Sequence, residues 1–164
     1  MPASTLILDV TVIEVIYGEQ ARGVRDVACE EGLVSRKRVL LADDHAAMLE
    51  EVRALLDDEY EVVGAVENGQ KLVDAASTLK PDVIVSDISM PVMNGFEAAA
   101  KIREMGLAAR IIFLTVQSSA AYLKKARALG ADGYILKVNT NEQLGAAVAS
   151  VLTGTPYFCP ELGT

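Results

Sequence analysis

The chain has 164 residues, 51% of them apolar, and carries a formal charge of −8 from 15 basic and 23 acidic side chains. That length and apolar share suit one compact domain with a buried core. The acidic balance argues against direct nucleic-acid binding by this chain, because sequence-independent affinity for nucleic acid needs basic side chains against phosphates. Cys29 and Cys159 form no metal-type spacing and, with no secretory signature, read as thiols of a reducing cytoplasm. Leu6 to Tyr17, the most apolar N-terminal piece, is too short to span a membrane and carries Asp9 and Glu14. It also lacks a basic flank, so it is a poor signal peptide.

Residues 1–36 read as an N-terminal extension of unassigned role, with a β-branched stretch from Thr5 to Tyr17 and a mixed, charged stretch from Arg22 to Arg38. Short β-branched runs then alternate with helical patterns. Val39-Leu40-Leu41-Ala42 is the first expected strand. Met48, Leu49, Val52, Leu55 and Leu56 follow at helical spacing. Glu61 to Val66 is the second strand, and Gly69 to Leu79 a helix stopped by Pro81. Asp82 to Ser86 is the third strand, with a helix from Phe96 to Met105. Ile111 to Leu114 is the fourth, with a helix from Ala120 to Leu129. Gly130 and Gly133 flank a turn into the fifth, Tyr134 to Leu136. Thr140 and Gln143 have capping-box spacing at the start of a last helix, which runs to about Leu152. Residues 154–164 are expected to be a C-terminal tail or the start of a linker.

Five strands alternating with five helices predict an α/β domain over residues 37–153, with a doubly wound parallel sheet covered on both faces. Right-handed crossovers place every strand's C-terminal end on one edge, where open α/β folds bind ligands. Asp43 and Asp44 follow the first strand, Asp87 the third, Thr115 the fourth and Lys137 the fifth. Three carboxylates, a hydroxyl and an amine therefore converge.

Two carboxylates about 4 Å apart repel by roughly 4 kcal/mol at an effective dielectric near 20. A cation among them is expected, and hard oxygen ligands suit Mg²⁺. Zinc is disfavoured, since His45 is the only histidine and no cysteine is near. Carboxylates holding a metal beside an amine and a hydroxyl point to phosphoryl chemistry. Asp87 stands alone on the central strand and is the better nucleophile, giving an acyl phosphate. Asp43 and Asp44 are natural metal holders.

Val39-Leu40-Leu41-Ala42-Asp43-Asp44-His45, Pro81 to Gly95 around Asp87, Leu114-Thr115 and Gly130-Ala131-Asp132-Gly133-Tyr134-Ile135-Leu136-Lys137 together resemble the receiver domain of two-component response regulators. The resemblance covers about Arg38 to Leu152 and implies a flavodoxin-like sheet of order 2-1-3-4-5. It implies phosphorylation of Asp87 by a sensor histidine kinase, with Mg²⁺ bound directly by Asp44, through water by Asp43, and by the backbone carbonyl of Ser89. Thr115 and Tyr134 would be the switch pair and Lys137 the phosphate partner. The result would be a changed partner surface at the fourth helix, fifth strand and last helix, or a homodimer. Asp43-Asp44-His45, Val138 after Lys137, and Tyr157-Phe158-Cys159-Pro160-Glu161-Leu162 are similar to the nitrate-regulator and nitrogen-fixation-regulator subfamily. There a helix-turn-helix domain usually follows. This chain, ending at Thr164, is expected to be a stand-alone receiver or one separated from its output domain.

Two rivals stand beside this reading. A haloacid-dehalogenase-type phosphatase also uses an aspartyl nucleophile, but it needs a second aspartate where Ser89 stands. A pseudo-receiver would bind partners without phosphorylation. Taken singly, Asp44 could merely cap the following helix, Tyr134 could be a core aromatic, and His45 is expected to have no chemical role. Val116, branched, is expected to restrict inward movement of Tyr134. Ser89 and Gln117 are expected to tune the acyl-phosphate lifetime.

Overall fold

The computed structural model describes residues 35–162, all but the first two of which fall in the compact unit Lys37–Thr164. The expectations for Thr5 to Tyr17, and for most of Arg22 to Arg38, lie outside the described residues.

The strands are β1 (Arg38–Ala42), β2 (Glu61–Val66), β3 (Val83–Ser86), β4 (Arg110–Thr115), β5 (Gly133–Leu136) and β6 (Tyr157–Phe158). The helices are α1 (Ala46–Leu56), α2 (Gly69–Leu79), α3 (Gly95–Glu104), α4 (Ala120–Ala128) and α5 (Thr140–Leu152). The strand order is β2-β1-β3-β4-β5-β6, with every pair parallel. The expected doubly wound order 2-1-3-4-5 is therefore present, and five strands must be corrected to six. The missed strand is two residues long, too short to show any alternation. It forms because β5 would otherwise leave a row of backbone donors and acceptors open at the sheet edge.

Alternating side chains of the central strands supply two cores. Leu40, Ile84, Ile111, Phe113 and Tyr134 pack with α2, α3 and α4 on one face. Val39, Val83, Val85, Ile112, Leu114 and Ile135 pack with α1 and α5 on the other. The rings of Phe96 and Phe113 meet edge-to-face at 5.1 Å. Burial on both faces is what near-continuous apolar strands require.

Two caps depart from the sequence reading. Thr140 and Gln143 form no capping box: α5 is entered from a 3₁₀ turn, Lys137–Asn139, and the Thr140 hydroxyl donates back to the Lys137 carbonyl at 2.7 Å. A capping box does form on α3, where the Asn94 carboxamide accepts from the Glu97 N–H at 2.9 Å and the Glu97 carboxylate accepts from the Asn94 N–H at 3.0 Å. The turn before β5 is held by Asp132, whose carboxylate accepts from the Ile111 N–H at 2.9 Å and from Arg103 at 3.1 Å.

Candidate functional site

Register brings the acidic residues together. Ala42 pairs with Ser86, and Ser86 with Phe113. The next residues on β1 and β3 are Asp43 and Asp87, locked side by side where the Asp87 N–H donates to the Ala42 carbonyl at 2.9 Å. Both carboxylates are almost wholly buried, while Asp44 beyond them is exposed. One oxygen of Asp87, Oδ1, accepts from the Ile88 N–H at 2.7 Å. The loop after Asp87 returns close beneath it: a methyl group at Gly95 would stand 2.2 Å from the Asp87 carbonyl oxygen. Within that loop Val92 adopts φ 69°, an uncommon conformation for a β-branched residue, as the Met93 N–H donates to the Pro91 carbonyl.

Lys137 reaches the same point from the end of β5. Its Nζ lies 2.7 Å from Asp43 Oδ2 and 3.0 Å from Asp87 Oδ2. Burial pushes the Asp87 carboxyl above the usual carboxylate range, and the neighbouring Lys137 only partly offsets this. For Lys137 burial works against the charged amine, but its bonds to Asp43 and Asp87 outweigh that and leave the pKa raised. The Asp87 carboxylate is thus more basic than usual and the amine stays a cation.

Thr115, fully buried at the end of β4, is paired with Leu136, the residue before Lys137. Its Oγ1 accepts from the Gln117 N–H at 3.1 Å, which leaves the hydroxyl hydrogen able to donate. Tyr134 pairs with Phe113, and Thr115 lies two residues beyond Phe113, so both side chains belong to the α2–α3–α4 face of the sheet. The Tyr134 ring is fully buried, and its hydroxyl donates to the Gln117 carbonyl at 2.7 Å. Burial raises its pKa to about 12. Val116, expected to restrict inward movement of Tyr134, is 68% exposed. Ser89 is exposed beside a cleft of about 300 Å³ with Asn94, Phe96, Tyr122 and Lys125.

Two residues make contacts that the sequence reading did not assign to them. The His45 imidazole Nδ1 lies 3.1 Å from Asp43 Oδ1 and 3.0 Å from Asp44 Oδ1, drawn there because His45 directly precedes α1 and turns back over the acidic pair. Its place next to two aspartates was the available signal. Gln117 contributes through its backbone, bonded to both Thr115 and Tyr134, which no side-chain pattern reveals. The bland alternative for Asp44 does not hold: α1 has His45 at its N-cap and no side-chain cap bond.

Asp43, Asp44, His45 and Asp87 each offer one ligand atom, all within 4.8 Å of one another. Three hard carboxylates with an exposed side toward Asp44 fit a small divalent cation that keeps several waters. Among the described residues no helix is long and apolar enough to cross a membrane.

Comparison with known proteins identifies the family and the fold. The response regulator receiver domain family matches residues 39–149. The chain is 36% identical over 126 residues to the transcriptional regulatory protein DesR of Bacillus subtilis, covering 76% of this chain and 62% of DesR. It is 38% identical over 117 residues to the chemotaxis protein CheY of Halobacterium salinarum, covering 71% of this chain and 98% of CheY. A two-component response regulator of the LuxR family from Aurantimonas sp. superposes with a TM-score of 0.74 at 31% identity, covering 78% of this chain and 93% of that one. The chain thus spans about six tenths of DesR's length, and nearly all of CheY's. Matched by that family model over residues 39–149, the chain belongs to the response regulator receiver domain family.

Proposed function

We propose that Asp87 accepts a phosphoryl group from the phosphohistidine of a sensor kinase, in the cytoplasm, and that the resulting acyl phosphate resets the surface formed by α4, β5 and α5. One observation carries the reading: a single lysine amine within 3.0 Å of both the Asp43 and Asp87 carboxylates, inside a cluster of four ligand atoms. A structural salt bridge has no need of the additional acid Asp44, nor of three charges at one strand edge.

In the transfer, the phosphorus–nitrogen bond of the donor breaks and a bond from a carboxylate oxygen of Asp87 to phosphorus forms, while the departing imidazole keeps the electron pair. Burial makes the Asp87 carboxylate more basic and therefore a stronger nucleophile. Mg²⁺ bound by Asp43, Asp44, Asp87 and the Ser89 carbonyl would supply charge neutralisation for the incoming phosphoryl oxygens. Lys137 exchanges its bond to Asp87 for one to a phosphoryl oxygen, and Thr115 donates its hydroxyl hydrogen to another, both charge-assisted. Thr115, drawn to the acyl phosphate, fixes the Gln117 backbone bonded to it, and Gln117 in turn holds the Tyr134 hydroxyl in its buried place. The roles given to Ser89 and Gln117 in setting the acyl-phosphate lifetime belong to the same proposal, and so does phosphorylation-dependent homodimerisation.

Incubation with acetyl phosphate and Mg²⁺ should add one phosphoryl mass to the intact chain, and Asp87→Asn should abolish it. Stoichiometric labelling of Asp87→Asn would refute the assignment. Steady turnover of a generic phosphate ester would favour a phosphatase instead.

A further inference from the structure

The residues after Gly154 form a strap. β6 lies along the outer edge of β5 with Tyr157 opposite Gly133 and Phe158 opposite Tyr134. Bonds bracket that register: the Tyr157 N–H donates to the Asp132 carbonyl, and the Cys159 N–H to the Tyr134 carbonyl, each at 2.9 Å. The approach depends on Gly133, because a methyl group there would come within 3.2 Å of the Tyr157 carbonyl oxygen. Tyr157 packs on the α1–α5 core, while Phe158 and Leu162 pack on the core that contains Tyr134. The Cys159 thiol is fully buried. From α4, the Arg127 guanidinium lies 4.0 Å over the Phe158 ring.

Tyr134 is thus gripped twice. Its hydroxyl is tied to Gln117, two residues beyond Thr115, and its backbone to the strap. The ring lies in the same core as Phe158, so a change in the ring's place alters the bed on which Phe158 rests. A displacement of α4 also moves Arg127 relative to Phe158.

We infer that the outer edge of β5 is an interaction surface whose occupant is this chain's own segment Thr155–Leu162, and that docking of this strap is coupled to phosphorylation of Asp87 through Tyr134. The inference rests on the phosphoacceptor reading and adds to it where the signal goes. The buried position of Tyr134 seen with the strap docked is the one that the acyl phosphate favours, so phosphorylation tightens the strap. Linkage requires the reverse as well: a chain with its strap undocked binds the phosphoryl group or its mimic more weakly by the same factor.

Cys159 is a built-in reporter. In the 164-residue chain carrying Cys29→Ser, the rate of Cys159 modification by a soluble aromatic disulfide measures strap opening. Saturation with Mg²⁺ and beryllofluoride should slow it at least about fivefold, the lower end of ordinary coupling between sites. Arg127→Gln, an exposed change that leaves the core intact, should speed labelling, and beryllofluoride should slow that faster labelling by the same factor as in the parent chain. Tyr134→Phe keeps the ring but not the hydroxyl bond, and labelling should then no longer respond to beryllofluoride. Site occupancy is followed separately by fluorine NMR. An occupied site with unchanged labelling of Cys159 overturns the coupling alone. A chain that binds no beryllofluoride overturns the phosphoacceptor reading, and the coupling with it.

Discussion

Asp87→Asn should stabilise the metal-free protein. Lys137 at 3.0 Å attracts the Asp87 carboxylate by about 5.5 kcal/mol at an effective dielectric near 20. Asp43, with a ligand oxygen within 4.8 Å, repels it by about 3.5 kcal/mol or more on the same scale. Asp44, whose side chain is 32% exposed, adds a screened share of similar sign. The Coulomb contributions therefore nearly cancel. What remains is the cost of burying the charge, several kcal/mol for an ion in a protein interior. Asparagine removes that cost, keeps the acceptor for the Ile88 N–H, and leaves Lys137 its 2.7 Å pair with Asp43. It gives up the charge-assisted bond to Lys137, which offsets part of the gain. A net stabilisation of about 1–2 kcal/mol is expected. Urea unfolding in the presence of a chelator, followed by circular dichroism because the chain has no tryptophan, measures it. The sign agrees with the raised pKa of Asp87: such a group weakens the fold as pH climbs from its unfolded to its folded pKa. With millimolar Mg²⁺ the advantage should shrink or reverse, because a cation binding only the folded wild type stabilises it by mass action. Destabilisation of Asp87→Asn by 2 kcal/mol or more in chelator, a value set by losing a buried pair partner, would show that Lys137 satisfies Asp87 and that the site is not frustrated.

Three further outcomes follow from the same geometry. Asp44→Ala should weaken Mg²⁺ affinity at least about tenfold with little effect on folding, since the side chain is partly exposed; calorimetric titration decides it. Gly95→Ala should cost about 2 kcal/mol or more, because the new methyl meets the Asp87 carbonyl oxygen at 2.2 Å with backbone on both sides; it should also slow phosphorylation by displacing Asp87, and a neutral result in both assays would refute the contact. The Tyr134 phenol should titrate near pH 12 in the folded chain, read from ultraviolet absorbance. As an acid whose folded pKa lies above its unfolded value of 10.0, its share of stability is whole below pH 10 and is lost as pH rises through about 12.

The central architecture was legible because each strand is a short apolar run closed by a polar residue at its C-terminal end. Once the strands are parallel, Asp43, Asp87, Thr115 and Lys137 must share an edge, and no knowledge of side-chain contacts is needed. What was hidden depended on backbone. Gln117 acts through its N–H and carbonyl, which any residue type supplies. β6 is two residues long and exists only because β5 presents an open edge, so its cause lies in another element. The capping box expected at Thr140 failed for a related reason: the 3₁₀ turn at Lys137–Asn139 advances the helix start and moves Thr140 inside the helix, where its hydroxyl finds the Lys137 carbonyl. The box at Asn94 and Glu97 has the same three-residue spacing and passed unnoticed behind Pro91 and Gly95.

Stability and responsiveness occupy different parts of the molecule. Two apolar cores, one on each face of the sheet, hold the strands whatever happens at the C-terminal edge, so that edge can carry charges that repel. Asp43 and Asp87 are buried together there with one amine between them, and an added phosphoryl group would shift that charge balance. A change of charge has a distant effect only if a bistable element is attached to it. In the coupling inferred above Tyr134 would be that element: a polar atom at the end of a ring, bonded to the loop after Thr115, with the ring in the core and the backbone in the ladder to β6. A tyrosine without the Gln117 bond would pack identically and respond to nothing. On that coupling the hydroxyl would be the point at which electrostatics at the edge becomes packing beneath the strap.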